Sequence, residues 1–163
     1  MIDKNELNQL YRYACSLTKD ADNSYDLLQA SIEKMLGKDY QKIENKTAYL
    51  MRSIRNRYID QKRRENKFPL DSIEDEAQIF EVDEQIGLEE LVIESEKVAE
   101  LITYLSPMES ELLYLWAVEE YTIDEIARLQ NIPRGTLLSR LSRMKKRVKQ
   151  QFVSTNEQLA TVK

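Results

Sequence analysis

Basic side chains are concentrated in a segment near the end of the chain that contains no acidic residue. Residues 134–149 carry seven Arg or Lys side chains and no Asp or Glu. Cations at this density can neutralise the phosphates of a nucleic acid, and each neutralised phosphate makes binding more sensitive to salt. The segment therefore favours binding to DNA, and the alternative is the solvated basic face of an ordinary helical hairpin.

The elements that would present this segment form a helix-turn-helix pattern. Thr122 and Glu125 have the spacing of a capping box at the start of a short helix that reaches about Gln130. The turn 131–133 leads to a long helix over about 134–152, which can enter a major groove with its N-terminal side chains at base edges. The side chains expected to contact DNA on this helix are Arg134, Thr136, Leu138, Ser139, Arg140, Arg143, Lys146 and Arg147.

A second basic helix is predicted earlier in the chain, capped by Thr47 and running to about Lys67. Its cations alternate with Tyr49, Tyr58 and the amide of Asn56. Stackable rings beside cations suit single-stranded nucleic acid, although a bare charged helix surface has a similar pattern. The basic side of this helix is expected to carry Arg52, Arg55, Arg57, Lys62, Arg63 and Arg64.

Two shorter helices precede this one. Asp3 can cap a helix over 3–17, and either Asp22 or Ser24 can cap a second helix that Gly37 ends. Further along, Ser106-Pro107 opens a helix that is expected to end near Glu119. Short helices are also expected around 87–95 and over 95–104.

Charge divides the chain, whose net charge is −5, into parts. Residues 1–67 carry 14 Lys or Arg and 10 Asp or Glu, whereas residues 68–96 carry 11 acids and no Lys or Arg. Few glycines and prolines and many helix formers favour an all-α protein. We predict two small helical domains, 1–67 and 97–153, the second containing the helix-turn-helix, joined by the acidic linker and followed by a flexible tail, 154–163.

Several classes of function are disfavoured by composition. Histidine is absent, which removes the commonest general base and metal ligand, and no glycine-rich phosphate loop or metal cluster is evident. We expect no enzyme activity, no cofactor and no metal. The polar N-terminus and the lack of a long apolar run predict a cytoplasmic protein without membrane insertion. Cys15, on an apolar stripe, is predicted to be a core residue.

Taken together, these motifs resemble the extracytoplasmic-function sigma factors of the bacterial sigma-70 family. Asp26-Leu27-Leu28-Gln29 is similar to the family's D-L-V-Q stretch, and residues 49–64 are similar to W-L-x-R-I-A-R-N-x-x-I-D-x-x-R-R. Residues 105–107 are similar to the L-P-x start of the −35-reading domain, and residues 122–143 follow Y-x-E-I-A-x-x-L-G-I-P-x-G-T-V-K-S-R-L-x-R. The resemblance covers about residues 7–67 and 97–150.

The resemblance implies a promoter-specificity subunit of RNA polymerase that reads duplex −35 DNA with the basic helix starting at Arg134. It implies contact with the β and β′ subunits of the core enzyme, and control by an anti-sigma factor. The polymerase-binding residues would be Asp26, Leu27, Leu28 and Gln29. The residues that melt the −10 element and capture its single strand would be Tyr40, Arg52, Asn56, Asp60, Arg63 and Arg64.

Four positions depart from the family pattern. Tyr25 stands where the family usually has Glu, and Ala30 where an acid often follows, so the polymerase-binding face is less acidic. Gln130 replaces a turn glycine and must avoid left-handed backbone or accept strain. Leu138 replaces a usual Lys or Arg, which removes one DNA contact or substitutes contact with a thymine methyl group.

Two other functions fit parts of the pattern. A conventional helix-turn-helix regulator would use the first domain for dimerisation or sensing and would bind duplex sites without polymerase. A sigma-like protein that binds polymerase without selecting promoters would account for the unusual residues Tyr25, Ala30 and Leu138.

Overall fold

The computed structural model describes the backbone of residues 2–37, 40–65 and 104–160, with side chains as far as residue 150. The predicted all-α class is confirmed over this part of the chain. The predicted linker 68–96 and the short helix expected around 87–95 lie outside the described residues, as does the helix expected over 95–104 except for Tyr104. The helices are α1 (Lys4–Thr18), α2 (Ala21–Leu36), a 3₁₀ turn (Tyr40–Lys42), α3 (Lys46–Arg64), α4 (Pro107–Ala117), α5 (Ile123–Gln130) and α6 (Arg134–Ala160).

Helix starts follow capping chemistry, but two caps differ from the prediction. Asp3 caps α1 as expected, through a capping box with Glu6. The cap of α2 is Asp20, whose carboxylate accepts from the amide of Asn23 at 2.8 Å, and neither Asp22 nor Ser24 serves. The cap of α3 is Asn45 rather than Thr47. In each case another side chain sits in range of the first free amides.

Helices α1, α2 and α3 pack into one unit, which we call the N-terminal block (residues 2–37 and 40–65). Each helix contributes an apolar stripe at the i, i+3, i+4 spacing, as the amphipathic pattern predicts. The side chains at its centre have no exposed surface: Leu10, Leu17, Leu50, Met51 and Ile54. Cys15, expected in the core, is a free and half-buried cysteine.

Helices α4, α5 and α6 form the C-terminal block (residues 104–160), and the caps predicted for α4 and α5 are confirmed. Thr122 and Glu125 form the capping box of α5, and Ser106 caps α4 with Pro107 in its first turn. The left-handed residue of the turn is Asn131, with φ 56°, so Gln130 stays helical. Gln130 is therefore not strained, and the left-handed conformation falls on an asparagine, which tolerates it better than most residues.

Two ends differ from the predicted ones. Helix α4 ends at Ala117, before the expected Glu119. Helix α6 continues to Ala160, beyond the predicted end near residue 152. From Thr136 to Ala160 there is no glycine or proline, and nothing in the sequence interrupts the helical hydrogen bonds. None of the described helices is long and apolar enough to cross a membrane.

The two blocks pack directly against each other. Helix α1 lies along α4, and α3 contacts α5, so the buried side chains of both blocks form one continuous cluster. On the α4 side this cluster includes Leu112 and Leu115, and on the α1 side it includes Leu10 and Tyr13. The sequence predicted two helical units, and their docking is a finding of the structure.

Candidate nucleic-acid interface

The recognition helix α6 is fixed by its apolar face, and this leaves a basic face outward. Leu137, Leu141 and Met144 are buried at successive turns. Of the eight predicted DNA-contacting side chains, four are exposed: Arg134, Arg143, Lys146 and Arg147. The other four are half-buried: Thr136, Leu138, Ser139 and Arg140.

Arg134 begins the helix and makes an exposed ion pair. Its Nε lies 3.2 Å from the Asp124 carboxylate of α5, and both side chains are more than half exposed. Exposed pairs of this kind contribute little to stability, so a phosphate can replace Asp124 at low cost. A Cβ atom added at Gly135, next to Arg134, would have no neighbouring atom within 4 Å. The start of α6 therefore leaves room for the backbone of a DNA strand.

Arg147 is more constrained than its exposure indicates. Its guanidinium pairs with the carboxylate of Glu109 on α4. The second oxygen of Glu109 accepts the amide of Ser106 at 2.8 Å, which caps α4. The pair therefore ties the middle of α6 to the start of α4, and Arg147 helps to position α6 within the block.

Arg140, predicted to contact DNA, is turned toward the N-terminal block. It is half-buried, and its Nη1 atom is buried without a hydrogen-bond partner. Burial lowers the pKa of Arg140, and the nearby positive charge of Arg55 lowers this pKa further, while Glu111 opposes the shift. In this arrangement Arg140 is only partly available to a phosphate.

Helix α3 presents the predicted −10 surface. Asn56, Asp60, Arg63 and Arg64 are exposed on successive turns, and Tyr40 on the preceding 3₁₀ turn is 37% exposed. The four α3 residues have the spacing of one helix face, where a single strand could contact them.

Arg52, the sixth predicted −10 residue, is bound by the other block. Its Nε donates to the carbonyl of Leu129 at 3.2 Å, and one of its terminal nitrogens donates to the carbonyl of Arg128 at 3.4 Å. These carbonyls lie at the C-terminal end of α5, where the helix leaves acceptors without intrahelical partners. The cation of Arg52 therefore satisfies the end of the first helix of the helix-turn-helix.

Arg55 was predicted on the basic surface of α3, and this prediction is wrong. Arg55 is 7% exposed, and its Nε donates to Glu111 of α4 at 3.2 Å. The hydroxyl of Tyr13 donates to the other oxygen of the same carboxylate. Glu111 itself has no exposed surface. We call Tyr13, Arg55 and Glu111 the latch, because they join the two blocks.

The sequence contains a signal for this pair that was missed. Arg55 follows Met51 and Ile54 at the spacing of the buried stripe of α3. Glu111 lies in the same way between Met108 and Leu115 on α4. A charged residue inside each of two apolar stripes predicts a buried ion pair, since an unpaired buried charge is costly.

The pKa values of the latch follow from its burial. Burial raises the pKa of Glu111, and the charge of Arg55 and the hydrogen bond from Tyr13 oppose that rise. Burial, together with the neighbouring carboxylate of Glu111, holds the pKa of Tyr13 well above its ordinary value. Tyr13 therefore stays a hydrogen-bond donor at neutral pH.

Of the four residues predicted to bind polymerase on α2, two are buried and two are exposed. Leu27 and Leu28 are 6% and 4% exposed and belong to the core of the N-terminal block, which removes them from direct contact with a partner. Asp26 and Gln29 are exposed, and Tyr25 beside them is 62% exposed. A partner docking on α2 would therefore meet an acid, an amide and a tyrosine ring.

No group of three His, Cys, Asp or Glu side chains that could hold a metal ion occurs among the described residues.

Both blocks match sequence models of known protein families. The sequence model of sigma-70 region 2 matches residues 4–68, and that of sigma-70 region 4 matches residues 95–148. A search of curated proteins gives no match. The fold is similar to that of the sigma factor RpoE of Bartonella quintana, crystallised with the anti-sigma factor NepR, with a TM-score of 0.62 and 23% sequence identity over 90% of this chain and 91% of that chain. With regions 2 and 4 both present and in this order, the chain belongs to the sigma-70 family as an extracytoplasmic-function sigma factor.

Proposed function

We propose that this sigma factor, which directs promoter-specific transcription initiation, divides its contacts between the two blocks. The N-terminal block would bind the polymerase core through α2 and capture the −10 strand through α3. The C-terminal block would read duplex −35 DNA through α6. The observation that carries this division is that each family region exposes its own polar and basic helix face, around Asn56 on α3 and around Arg143 on α6.

The −35 contact would use the exposed cations of α6. Arg134 stands at the N-terminal end of the helix, where side chains of a groove-bound helix reach base edges. Arg143 and Lys146 lie further along and suit phosphates. Leu138 is half-buried, so its methyl groups can contact a thymine methyl only at the edge of the interface.

The −10 contact would require no bond-making chemistry. Tyr40 offers a ring on which a base can stack, Asn56 offers an amide to a base edge, and Arg63 and Arg64 offer charge to phosphates. Taking a base out of the duplex costs a few kcal/mol, and we propose that binding free energy supplies it. The chain would therefore act as a cytoplasmic binding factor and not as an enzyme.

Core binding would rest on the exposed face of α2. Asp26 and Gln29 are exposed on this face. Leu27 and Leu28 are buried in the hydrophobic core of the N-terminal block, so they position α2 and do not contact the polymerase. Tyr25 adds a largely exposed ring next to Asp26. We propose that this ring offers an apolar and hydrogen-bonding contact in place of the charge that the family's usual Glu would supply.

We expect Asp26→Ala to weaken binding to core polymerase without altering duplex binding by the C-terminal block. Asp26 is exposed on α2, so its loss removes a contact with the polymerase and does not disturb the hydrophobic core. Duplex binding is unaffected because α6 belongs to the other block. Core affinity can be measured by competition with a labelled sigma factor. Asp22→Ala, on the exposed first turn of α2, is the control. Equal core affinity of the Asp26 variant and the wild type would refute this assignment.

We expect Arg143→Ala to weaken duplex binding and to reduce its dependence on salt by about one unit of log K against log[salt], the amount for one lost phosphate contact. Arg143 is exposed on the basic face of α6. Fluorescence anisotropy over a salt series measures the slope. Lys34→Ala removes an exposed cation from α2 and should leave the slope unchanged. A slope that Arg143→Ala does not change would remove this part of α6 from the interface.

The proposed function as a whole is tested by transcription in vitro from a randomised promoter library with core polymerase and the purified chain. Promoter-dependent transcripts that share −35 and −10 elements are expected. A chain that binds core without producing such transcripts would be a polymerase-binding protein without promoter selection. Tight binding to a palindromic duplex with no affinity for core would identify a conventional regulator.

An anti-sigma factor is the further partner that we propose. The structurally similar RpoE was crystallised with the anti-sigma factor NepR. A regulator of this kind would contact both blocks of the present chain, and co-purification from cells in which the chain is tagged would identify it.

A further inference from the structure

An ion pair joins the two helices of the helix-turn-helix at the start of the recognition helix. Asp124 lies in the first turn of α5, and Arg134 is the first residue of α6. Nε of Arg134 lies 3.2 Å from the Asp124 carboxylate, and both side chains are more than half exposed. Such a pair adds little to the stability of the block, so its effect is on what Arg134 can bind.

The two acids in the first turn of α5 have different contacts. The Glu125 carboxylate accepts from the amide of Thr122 at 2.8 Å and from its hydroxyl at 2.7 Å, which completes the capping box. Glu125 also supplies the negative charge that favours the N-terminal end of a helix. The capping box does not use Asp124, whose carboxylate faces Arg134 instead. Asp124 is therefore not required to begin the helix.

Asp124 places a negative charge where a DNA phosphate would otherwise be favoured. The first helix of a docked helix-turn-helix crosses the DNA backbone, and exposed cations at its start attract phosphates. Two cations flank this point, Arg134 and Arg128, and Nε of Arg128 donates to the backbone carbonyl of Asp124 at 3.2 Å. Arg134 can leave Asp124 for a phosphate at little cost to the fold, but the phosphate would then lie beside an unpaired carboxylate that repels it.

Pairing through Nε leaves the far edge of the Arg134 guanidinium for DNA. The two terminal nitrogens of an arginine form a planar fork that matches the O6 and N7 acceptors of guanine in the major groove. Arg134 stands at the end of α6 from which a groove-bound helix reaches base edges. Arg134 can therefore keep Asp124 on Nε while it donates from both terminal nitrogens to one guanine.

We propose that Asp124 is a positioning residue for −35 specificity, which directs Arg134 to one guanine of the element and away from phosphates. At the guanine, Arg134 retains its contact with Asp124. At a phosphate, Arg134 loses that contact and the carboxylate repels the DNA. Asp124 therefore weakens binding to other DNA more than binding to the −35 element, which raises specificity. This inference rests on the proposed −35 contact of α6, and it adds the base that is read and the residue that selects it.

Binding to duplex DNA without a −35 element tests the repulsion. We expect Asp124→Asn to raise the affinity of the chain for such a duplex about fivefold, the effect of removing one like charge at contact distance in water. The dependence of log K on log[salt] should steepen by about one unit, because Arg134 then neutralises one more phosphate. Fluorescence anisotropy over a salt series measures both. Glu120→Gln, which neutralises another exposed acid of the same block, is the control and should change neither.

Transcription by the chain loaded on core polymerase tests the choice of base. The template is a promoter library randomised at the −35 element, with a −10 sequence that the wild type transcribes. We expect the wild type to prefer guanine at one −35 position by about tenfold, and Arg134→Ala to abolish that preference. Asp124→Asn should reduce the preference severalfold at the same position. Because Asp124 acts through Arg134, the double variant should be no worse there than Arg134→Ala alone.

The outcomes separate this inference from the proposed function. A wild type that selects no −35 sequence would refute the function proposed for α6, and the inference with it. A −35 preference that neither Arg134→Ala nor Asp124→Asn alters at any position would overturn the inference alone. Asp124→Asn would lower the affinity for every duplex if Asp124 only stabilised the fold, and that result would also overturn the inference.

Discussion

Replacing Arg55 with leucine should lower the free energy of unfolding by about 3–5 kcal/mol, the cost of leaving a buried charge without its partner. Glu111, which has no exposed surface, would keep its carboxylate next to an apolar side chain. The loss is limited to the free energy of docking the two blocks, because separation returns Glu111 to water. Urea denaturation followed by far-ultraviolet circular dichroism measures the change.

The matched control is the double variant Arg55→Leu with Glu111→Leu. Replacing both charges by apolar groups removes the desolvation cost together with the attraction, so the double variant should recover most of the stability. The measurement belongs at neutral pH, because burial raises the pKa of Glu111 and protonation at lower pH would remove the charge. If the stability lost in the double variant equals the sum of the losses in the two single variants, Arg55 and Glu111 do not act as a pair.

Leu137→Ala should destabilise the C-terminal block by about 2–5 kcal/mol and abolish duplex binding at ordinary temperature. Leu137 is on the recognition helix and has no exposed surface, so its loss leaves a cavity among the side chains that join α6 to the rest of the block. Thermal unfolding and anisotropy with duplex DNA, measured on the same samples, would separate loss of fold from loss of contact.

The adjacent Leu138 is the matched control, since it has the same side chain on the same helix but is only half-buried. Leu138→Ala should cost well under half of the stability lost in Leu137→Ala and should change which −35 sequences are preferred. Equal destabilisation by the two substitutions would contradict the orientation of α6. An unchanged sequence preference would remove Leu138 from the proposed DNA contacts.

Local signals in the sequence predicted the helix-turn-helix closely. The capping box of Thr122 and Glu125 fixes the start of α5, and the turn at Asn131 separates it from α6. These features depend on residues within four positions of one another, so the chain itself specifies them. Where several caps compete, as for Asp20 against Asp22 and Ser24, the sequence leaves the choice open and local geometry decides it.

The sequence by itself determined the all-α class, the apolar stripe of each helix and the basic faces of α3 and α6. Only the tertiary structure decided which charged residues of α3 and α6 bind to the other block. Arg55 pairs inside the molecule with Glu111, which lies 56 positions along the chain, and Arg52 binds carbonyls of α5. Pairing of this kind depends on how two separately amphipathic units dock, and helix periodicity contains no information about the partner of a buried charge.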